Sequence, residues 1–422
     1  MSNHLSEAAN QNKPMYYIGL MSGTSADGID LALVRFDSDT NPDVKTSLVA
    51  HYYHPYNTTI ASNIKQLYNA THNEIDYAFA LDIELAHIFA NAVEQFLAQE
   101  SLSPEDIIAI GNHGQTIRHR PTLDYPFTLQ IGCSQTLAIL TNIRVVGQFR
   151  KKDLALGGQG APLVPAFHQK IFSHPTSDVF VVNIGGIANM TYLPAPAIAL
   201  QGKESIVNAQ VLGFDTGPGN GLMDEWYIAH HKSSKVQYDQ EGLWASQGEC
   251  NALLLEHFLN DLYFTKKGPK STGREYFNMD WLTSKLNAFH QQHAEVSASS
   301  IQATLILLTA STICNEIKKL SSEGLVYFCG GGVHNKMLME HINTYLNTDL
   351  NKKLNTELNT TKNQQDKPFQ VLDTLNKDID GDQLEAVAFA WLAYAYDHNI
   401  PSNMPAVTGA RKYCTLGVNY TP

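Results

Sequence analysis

The stretch YYIGLMSGTSADGIDLALVRF, from Tyr16 to Phe36, is apolar, then rich in Gly, Ser and Thr, then apolar again. Short apolar runs bounded by turn residues read as strand, turn, strand. Asp30 is the one charge in the second run before Arg35. A unit of the same outline recurs at Val179 to Leu193, where VFVVNI runs into Gly185-Gly186 and leaves through Asn189. Two such units, one in each half, point to an α/β protein of duplicated lobes with a cleft between them.

The rest of the chain fits around these anchors. Ile83, Leu85, Ala86, Ile88, Phe89, Ala92, Val93 and Phe96 recur at three- and four-residue steps, a helical spacing. Strands are expected at Ile107 to Ile110, Phe127 to Ile131 and Ile143 to Val146, and the first domain is expected to end there, near residue 147. The chain then becomes basic and glycine-rich (Arg150, Lys151, Lys152, Asp153, Gly157, Gly158, Gly160), as a crossing between domains beside a polar site would be. A helix around Ile301 to Ile317 and a strand at Leu325 to Cys329 lead to a triple glycine and another helix. Asn347 to Lys367 is rich in Asn, Lys, Thr and Gln, and reads as a solvated insertion without catalytic duty.

A chain of 422 residues, 43% hydrophobic and 17% charged, is long enough for two cores. Its formal net charge of -12, with no concentrated basic face, argues against nucleic acid as a partner. Met1 to Lys13 is polar and lacks the basic-then-apolar pattern of a secretion signal, and no apolar run is long enough to span a bilayer. The five scattered cysteines (Cys133, Cys250, Cys314, Cys329, Cys414) suit reduced thiols better than disulfides or a zinc site. A cytoplasmic protein without a membrane partner is expected.

Three glycine clusters are candidates for binding phosphate. In Ser22-Gly23-Thr24-Ser25-Ala26-Asp27-Gly28, two glycines permit tight turns, and backbone N–H groups alternate with hydroxyls that can donate to phosphate oxygens. Asp27 is placed to hold Mg2+ through a water. The same composition is also that of an ordinary hairpin turn, and no Gly-Lys-Ser/Thr follows, so this is not a P-loop. Gly185 and Gly186 share its logic. Gly330, Gly331 and Gly332 stand where a strand hands over to a helix, so a phosphate could approach the backbone closely; a flexible turn is the plainer reading. Cys329 reads as a small core residue.

Asp215, in Gly213-Phe-Asp-Thr-Gly-Pro-Gly-Asn220, stands between an apolar strand and a turn that opens a helix. Such an aspartate is often a cap, but the glycine flanks give a ligand access to the carboxylate, and transfer of a phosphoryl group needs one base. His113, Gln115 and Thr116 follow an apolar strand and read as polar contacts for a substrate's hydroxyls, although a strand-end histidine is more often structural. Arg150 and Asp153 flank the domain crossing, where they either meet a sugar or pair with each other. Glu385 lies at the start of an apolar helix, where an unpaired carboxylate is costly, and is taken as a substrate contact. Lys270 to Glu275 is a polar loop that could contact nucleotide or substrate, and reads most simply as a capped helix start.

Eight blocks, in order along nearly the whole chain, resemble the anhydro-N-acetylmuramic acid kinase family, bacterial enzymes of cell-wall recycling in the actin, hexokinase and heat-shock-ATPase superfamily. The blocks are Gly19 to Gly28, His113 to Thr116, Gly157 to Pro165, Asn183 to Gly186, Gly213 to Asn220, Gly268 to Arg274, Gly330 to Gly332 and Thr415 to Gly417. The resemblance implies two ribonuclease-H-like (actin-like ATPase) lobes, with residues 404–422 returning to a first lobe of 1–147 and a second lobe of 148–403. It implies ATP with Mg2+ as cofactors and a homodimer. It also implies that water attacks the anomeric carbon of 1,6-anhydro-N-acetylmuramic acid while the released O6 takes the γ-phosphoryl group. Asp215 matches the family's base, Gly23 to Asp30 (with Ile29) its ATP-phosphate segment, and Glu385 a substrate-side carboxylate. The insertion at 347–367 is longer than the family's pattern. The competing readings are a conventional sugar or acetate-type kinase of the same fold, and a nucleotide-switched binding protein.

Overall fold

The computed structural model describes residues 15–37, 45–70, 72–196, 210–234, 236–348 and 368–422. The polar insertion therefore lies, from residue 349 to 367, outside the described residues, as does the N-terminal stretch. In chain order the strands are β1 Tyr16–Ser22, β2 Gly28–Asp37, β3 Lys45–Pro55, β4 Ile107–Arg120, β5 Phe127–Ile131, β6 Val145–Gly147, β7 Val179–Ile184, β8 Ile187–Leu193, β9 Leu212–Pro218, β10 Gly324–Cys329, β11 Phe369–Asp373 and β12 Val418–Tyr420.

They form two sheets, one in each of two compact units. In the first unit the order is β12-β6-β4-β1-β2-β3, with β5 folded back on β4. β1, β2 and β3 are antiparallel neighbours, whereas β4 runs parallel to β1 and β6 parallel to β4. In the second unit the order is β11-β10-β7-β8-β9, with β7, β8 and β9 antiparallel and β10 and β11 parallel to β7. Laid side by side, β3-β2-β1-β4-β6 and β9-β8-β7-β10-β11 are one topology used twice. It is the ribonuclease-H-like α/β arrangement that the two strand-turn-strand units and the family resemblance led one to expect.

Each sheet has its own core. In the first unit Ile18, Leu20, Leu31 and Leu33 pack with Leu85, Phe89, Val93 and Phe96 of the helix Glu74–Gln99. In the second, Phe180, Val182, Met190 and Phe214 pack with Leu305, Ile306, Ile313 and Ile317 of the helix Ala298–Leu320. No helix among the described residues is long and apolar enough to cross a membrane.

The boundaries between units differ from those expected. The first unit holds residues up to Ile171 and resumes at Gln383, and the second runs from Phe172 to Asp382. The sequence expectation gave residues 148–171 and 383–403 to the second lobe. The physical reason is the helix Leu384–Asp397. Gly19 of β1 and Gly111 of β4 are register partners, and a Cβ on either would collide with the helix backbone, at the Ala386 and Phe389 carbonyl oxygens respectively. The helix therefore lies directly on the first sheet, and its Phe389 ring meets Phe149 and His113. β4 is also longer than expected, so His113, Gln115 and Thr116 lie within the strand and not after it.

A methyl group at Gly19 would have to displace backbone, which a packed interior resists. The variant Gly19→Ala is expected to lose about 3 kcal/mol or more of stability, measured by urea unfolding of the purified protein.

Candidate active site

In the first unit the loop after β1 is braced from beneath. Gln115 is fully buried: its Oε1 accepts from Ser22 Oγ at 2.6 Å and its Nε2 donates to the Gly23 carbonyl at 3.1 Å. The Tyr56 hydroxyl lies 2.8 Å from Ser22 Oγ, and the Tyr68 hydroxyl donates to the Thr24 carbonyl at 2.9 Å. Ala26 holds a left-handed φ of 53°, a conformation that non-glycine residues adopt rarely. Thr24, Ser25 and Asp27 stay exposed, with Ser25 Oγ donating to Asp27 Oδ1 at 2.6 Å. Gly28 has no room for a side chain, because a Cβ would lie 2.6 Å from the Tyr53 ring and the His54 carbonyl. Ile29 points into the core, so only its backbone is available to a nucleotide. Gln115, expected to read a ligand's hydroxyls, instead spends its amide on the loop.

Three of the expected substrate contacts meet within this unit. Nη2 of Arg150 lies 2.9 Å from Nε2 of His113, and its Nη1 donates to the Gly160 carbonyl at 2.9 Å. Since a guanidinium only donates, Nε2 accepts and the imidazole proton sits on Nδ1. Burial, helped by the Arg150 charge, pushes His113 down to about 3, so it stays neutral and is no base. Burial also lowers Arg150 to about 10, with Glu385 opposing that shift. Glu385 is raised by burial and pulled back by Arg150. An arginine bonded to a neutral imidazole and within electrostatic reach of a half-buried carboxylate can donate to sugar hydroxyls while the carboxylate accepts from them. Thr116 is half-buried, and its Oγ1 accepts from Gln130 Nε2 at 3.2 Å.

Asp153 does not join them. It is wholly buried, its Oδ2 accepting from the Gly160 N–H at 2.8 Å and its Oδ1 from Asn403 Nδ2 at 3.0 Å and Thr408 Oγ1 at 2.9 Å. It ties the glycine turn 157–160 to residues 403–408 and does not pair with Arg150. A buried carboxylate so fully bonded is a strut.

The second unit gathers its glycines differently. The Gly185 carbonyl accepts from the Asn220 N–H at 2.7 Å, and the Gly186 carbonyl from the N–H groups of Gly219 and Gly221 at 3.0 and 3.1 Å. Asn220 Nδ2 donates to the Ile184 carbonyl at 3.2 Å. Gly330, with φ of 78°, turns the chain beside Ile184, and a short 3-10 turn starts at Gly331. Its first N–H groups have no partner within the turn. The turn after β7, the opening of the helix Gly221–His230 and the triple glycine thus come together, with Gly331 exposed and Gly185, Gly186 and Gly330 partly so.

Asp215 sits in β9, opposite Asn189 of β8. Its Oδ2 accepts from the Thr272 N–H at 2.9 Å and from Ser271 Oγ at 3.0 Å, and no described residue donates to Oδ1. Burial raises its pKa; the two donors work against that rise, and the Glu275 charge adds to it. One oxygen is fixed and the other is open, which is what a base needs.

The residues that hold Asp215 were not recognised as such in the sequence. Lys270 to Glu275 starts no helix; it is the segment that carries both donors. Arg274 arches over the second loop, its Nε and Nη2 2.6 Å from where a Gly186 Cβ would stand. The alternation of Ser, Thr, Gly and Arg in that block was the available signal. Nearby, burial pushes Asp224 up to about 7 against the pull of Arg274.

A topology repeated in two units, with glycine turns at the strand ends and a carboxylate with one open oxygen, is the layout of a phosphotransferase of the duplicated ribonuclease-H-like class. The sequence model of the anhydro-N-acetylmuramic acid kinase family matches residues 15–422, and the chain belongs to that family. An anhydro-N-acetylmuramic acid kinase of Colwellia psychrerythraea is 54% identical over 96% of this chain and 97% of its own. Those of Shewanella pealeana and Vibrio vulnificus strain YJ016 are 42% and 41% identical, each over 96% of this chain and 98% of its own.

Two predictions separate these roles. Removing the Ser271 donor should raise the Asp215 pKa and removing the Glu275 charge should lower it. The acid limb of the kcat–pH profile should therefore move to higher pH in Ser271→Ala and to lower pH in Glu275→Gln. For Asp153→Ala, the loss of three bonds to a buried carboxylate should cost about 3 kcal/mol or more of stability. Its KM for sugar should stay within about twofold of wild type, as read from denaturant titrations and steady-state kinetics.

Proposed function

We propose that this chain is an ATP-dependent kinase that opens 1,6-anhydro-N-acetylmuramic acid with water and phosphorylates its O6. The products are N-acetylmuramic acid 6-phosphate and ADP. Asp215 carries the reading: one oxygen is held by two donors, and the open oxygen takes the proton from the attacking water. The water oxygen bonds to C1, the C1–O6 bond breaks, and O6 takes the γ-phosphoryl group as the bond to the β-phosphate oxygen breaks. Opening the bridge supplies its own acceptor, so one carboxylate serves hydrolysis and transfer together.

The remaining roles carry the sequence reading forward. Gly23 to Asp30, Gly185, Gly186 and Gly330 to Gly332 supply backbone to the ATP phosphates. His113, Arg150 and Glu385 take the sugar, Thr116 is assigned to it as well, and the Arg274 guanidinium is available to a phosphoryl oxygen. The described residues include no cluster of three or more His, Cys, Asp or Glu able to hold a metal. Mg2+ suits such a site nonetheless, because it keeps several waters and needs only one or two carboxylates beside the phosphates. The exposed carboxylate of Asp27 fits that requirement, acting through a water. When bound, Mg2+ would neutralise phosphate charge. The sugar arises from turnover of the cell wall, and the reaction belongs in the cytoplasm.

A conventional kinase would leave the anomeric oxygen unchanged. Carried out in 18O-water, the reaction should place the label at C1 of the product; unlabelled product would sink the hydrolytic mechanism. ADP release from ATP and Mg2+ should depend on the anhydro sugar and not respond to N-acetylmuramic acid. Asp215→Asn should lower kcat by about a hundred- to ten-thousand-fold, the range for loss of a general base. It should melt no lower than wild type at neutral pH. The sign follows from the raised folded-state pKa: the stability linked to protonated Asp215 is present below its unfolded value and is lost as pH rises through the folded one.

A further inference from the structure

Behind Asp215 lies a buried ion pair that the reaction does not itself use. Lys270 Nζ lies 2.8 Å from Glu316 Oε1, with only 3% and 7% of the two side chains exposed. Glu316 belongs to the helix Ala298–Leu320, the centre of the second unit's core. Burying two charges is expensive, and an apolar pair of similar volume often does as well or better for stability. The pair therefore calls for a reason beyond stability.

Its connections supply one. The carbonyl of Lys270 accepts from the Asp215 N–H at 3.0 Å. The Lys270 ammonium lies 4.9 Å above the Tyr263 ring, and the Tyr263 hydroxyl donates to the Asp215 carbonyl at 2.7 Å. The two residues after Lys270 are Ser271 and Thr272, which hold Asp215 Oδ2. The backbone of Asp215 on one side and its carboxylate on the other thus all run back to one ammonium, anchored to a core helix. We propose that the Lys270–Glu316 pair is the positioning device of the base: it holds residues 270–272 at the distance that keeps Oδ2 bonded and Oδ1 open. This rests on Asp215 being the base, and it adds a buried pair of residues that make no bond to the carboxylate themselves.

The test uses Lys270→Met together with Glu316→Leu, because the paired apolar replacement leaves no orphaned buried charge, and Lys270→Met alone as the second variant. Hydrogen exchange is measured on the unliganded protein and kinetics across pH. In the double variant the Asp215 and Thr272 amides should exchange at least about tenfold faster than in wild type, while those in the middle of the helix Ala298–Leu320 keep their rates. kcat should fall about tenfold or more with KM for ATP within about twofold. The acid limb should also move to higher pH, since loosened donors no longer oppose the burial that raises Asp215. Lys270→Met should show the same pattern at lower thermal stability.

Unchanged exchange at the Asp215 and Thr272 amides would overturn the proposal, as would acceleration spread evenly over the whole unit, the mark of general destabilisation. A kcat within about threefold of wild type with an unmoved acid limb would do so equally. Should wild type itself fail to turn over the anhydro sugar, the functional reading falls on that result, while the exchange rates still decide whether the pair fixes Asp215.

Discussion

A helix lying directly on two glycines is the constraint from which the first unit follows. Because Gly19 and Gly111 face each other across β1 and β4 without side chains, the backbone of Leu384–Asp397 can settle against the sheet itself. Ordinary helix-on-sheet packing leaves a layer of side chains between backbones. At these two positions that layer is missing, and a helix more than 260 residues away in sequence from β4 becomes part of the first unit. Glu385, in its first turn, is thereby fixed in the unit that also holds His113 and Arg150, and Phe389 supplies the surface on which the His113 ring rests. Arg150 completes the group by hydrogen bonding across to the imidazole.

The second unit solves another problem, that of keeping a carboxylate basic without letting it wander. Burial raises the pKa of Asp215, which favours proton acceptance, but burial without partners would leave it protonated at rest. The two donors from Ser271 and Thr272 keep the ionised form accessible and occupy only one oxygen. In the first unit the opposite choice is made. His113 is driven so far down that it cannot take a proton near neutral pH, and it serves as a neutral acceptor that orients Arg150. Burial and its local compensation thus set the two groups apart: Asp215 keeps one open oxygen, and His113 stays a neutral acceptor.

Local pattern carried much of this into the sequence. The alternation of apolar runs and glycine turns at Tyr16 to Phe36 and Val179 to Leu193 reports β1–β2 and β7–β8 directly, because strand and hairpin preferences act over a few residues. The helical spacing at Ile83 to Phe96 likewise falls inside Glu74–Gln99. Long-range contacts were not legible in that way. Asp153 looked like a ligand contact because its partners Asn403 and Thr408 stand some 250 residues away. Gln115 looked free because Ser22 and Gly23 meet it only once β1 and β4 are paired. Ser271 and Thr272 looked like a helix cap, since hydroxyls before a helix and hydroxyls beside a carboxylate have the same composition. Charge and hydroxyl content mark where polar chemistry is; which of those groups are spent internally is decided by the tertiary fold.

The duplicated topology does not duplicate the site. In both units the first hairpin turn is rich in glycine, but the first turn spans Ser22 to Gly28 with a left-handed alanine and three exposed polar side chains, while the second closes on Gly185 and Gly186 alone. The third strand diverges further: β9 carries Asp215, and β3, KTSLVAHYYHP, contains no acid at all. A fold that places glycine turns at matching strand ends can be used twice to approach phosphate, because backbone N–H groups come with the geometry whatever the side chains are. A carboxylate does not come with the backbone: it has to be supplied by the residue at one strand position, and of the two third strands only β9 supplies one. The asymmetry between β3 and β9 is what that requirement looks like when it is written onto a repeated scaffold.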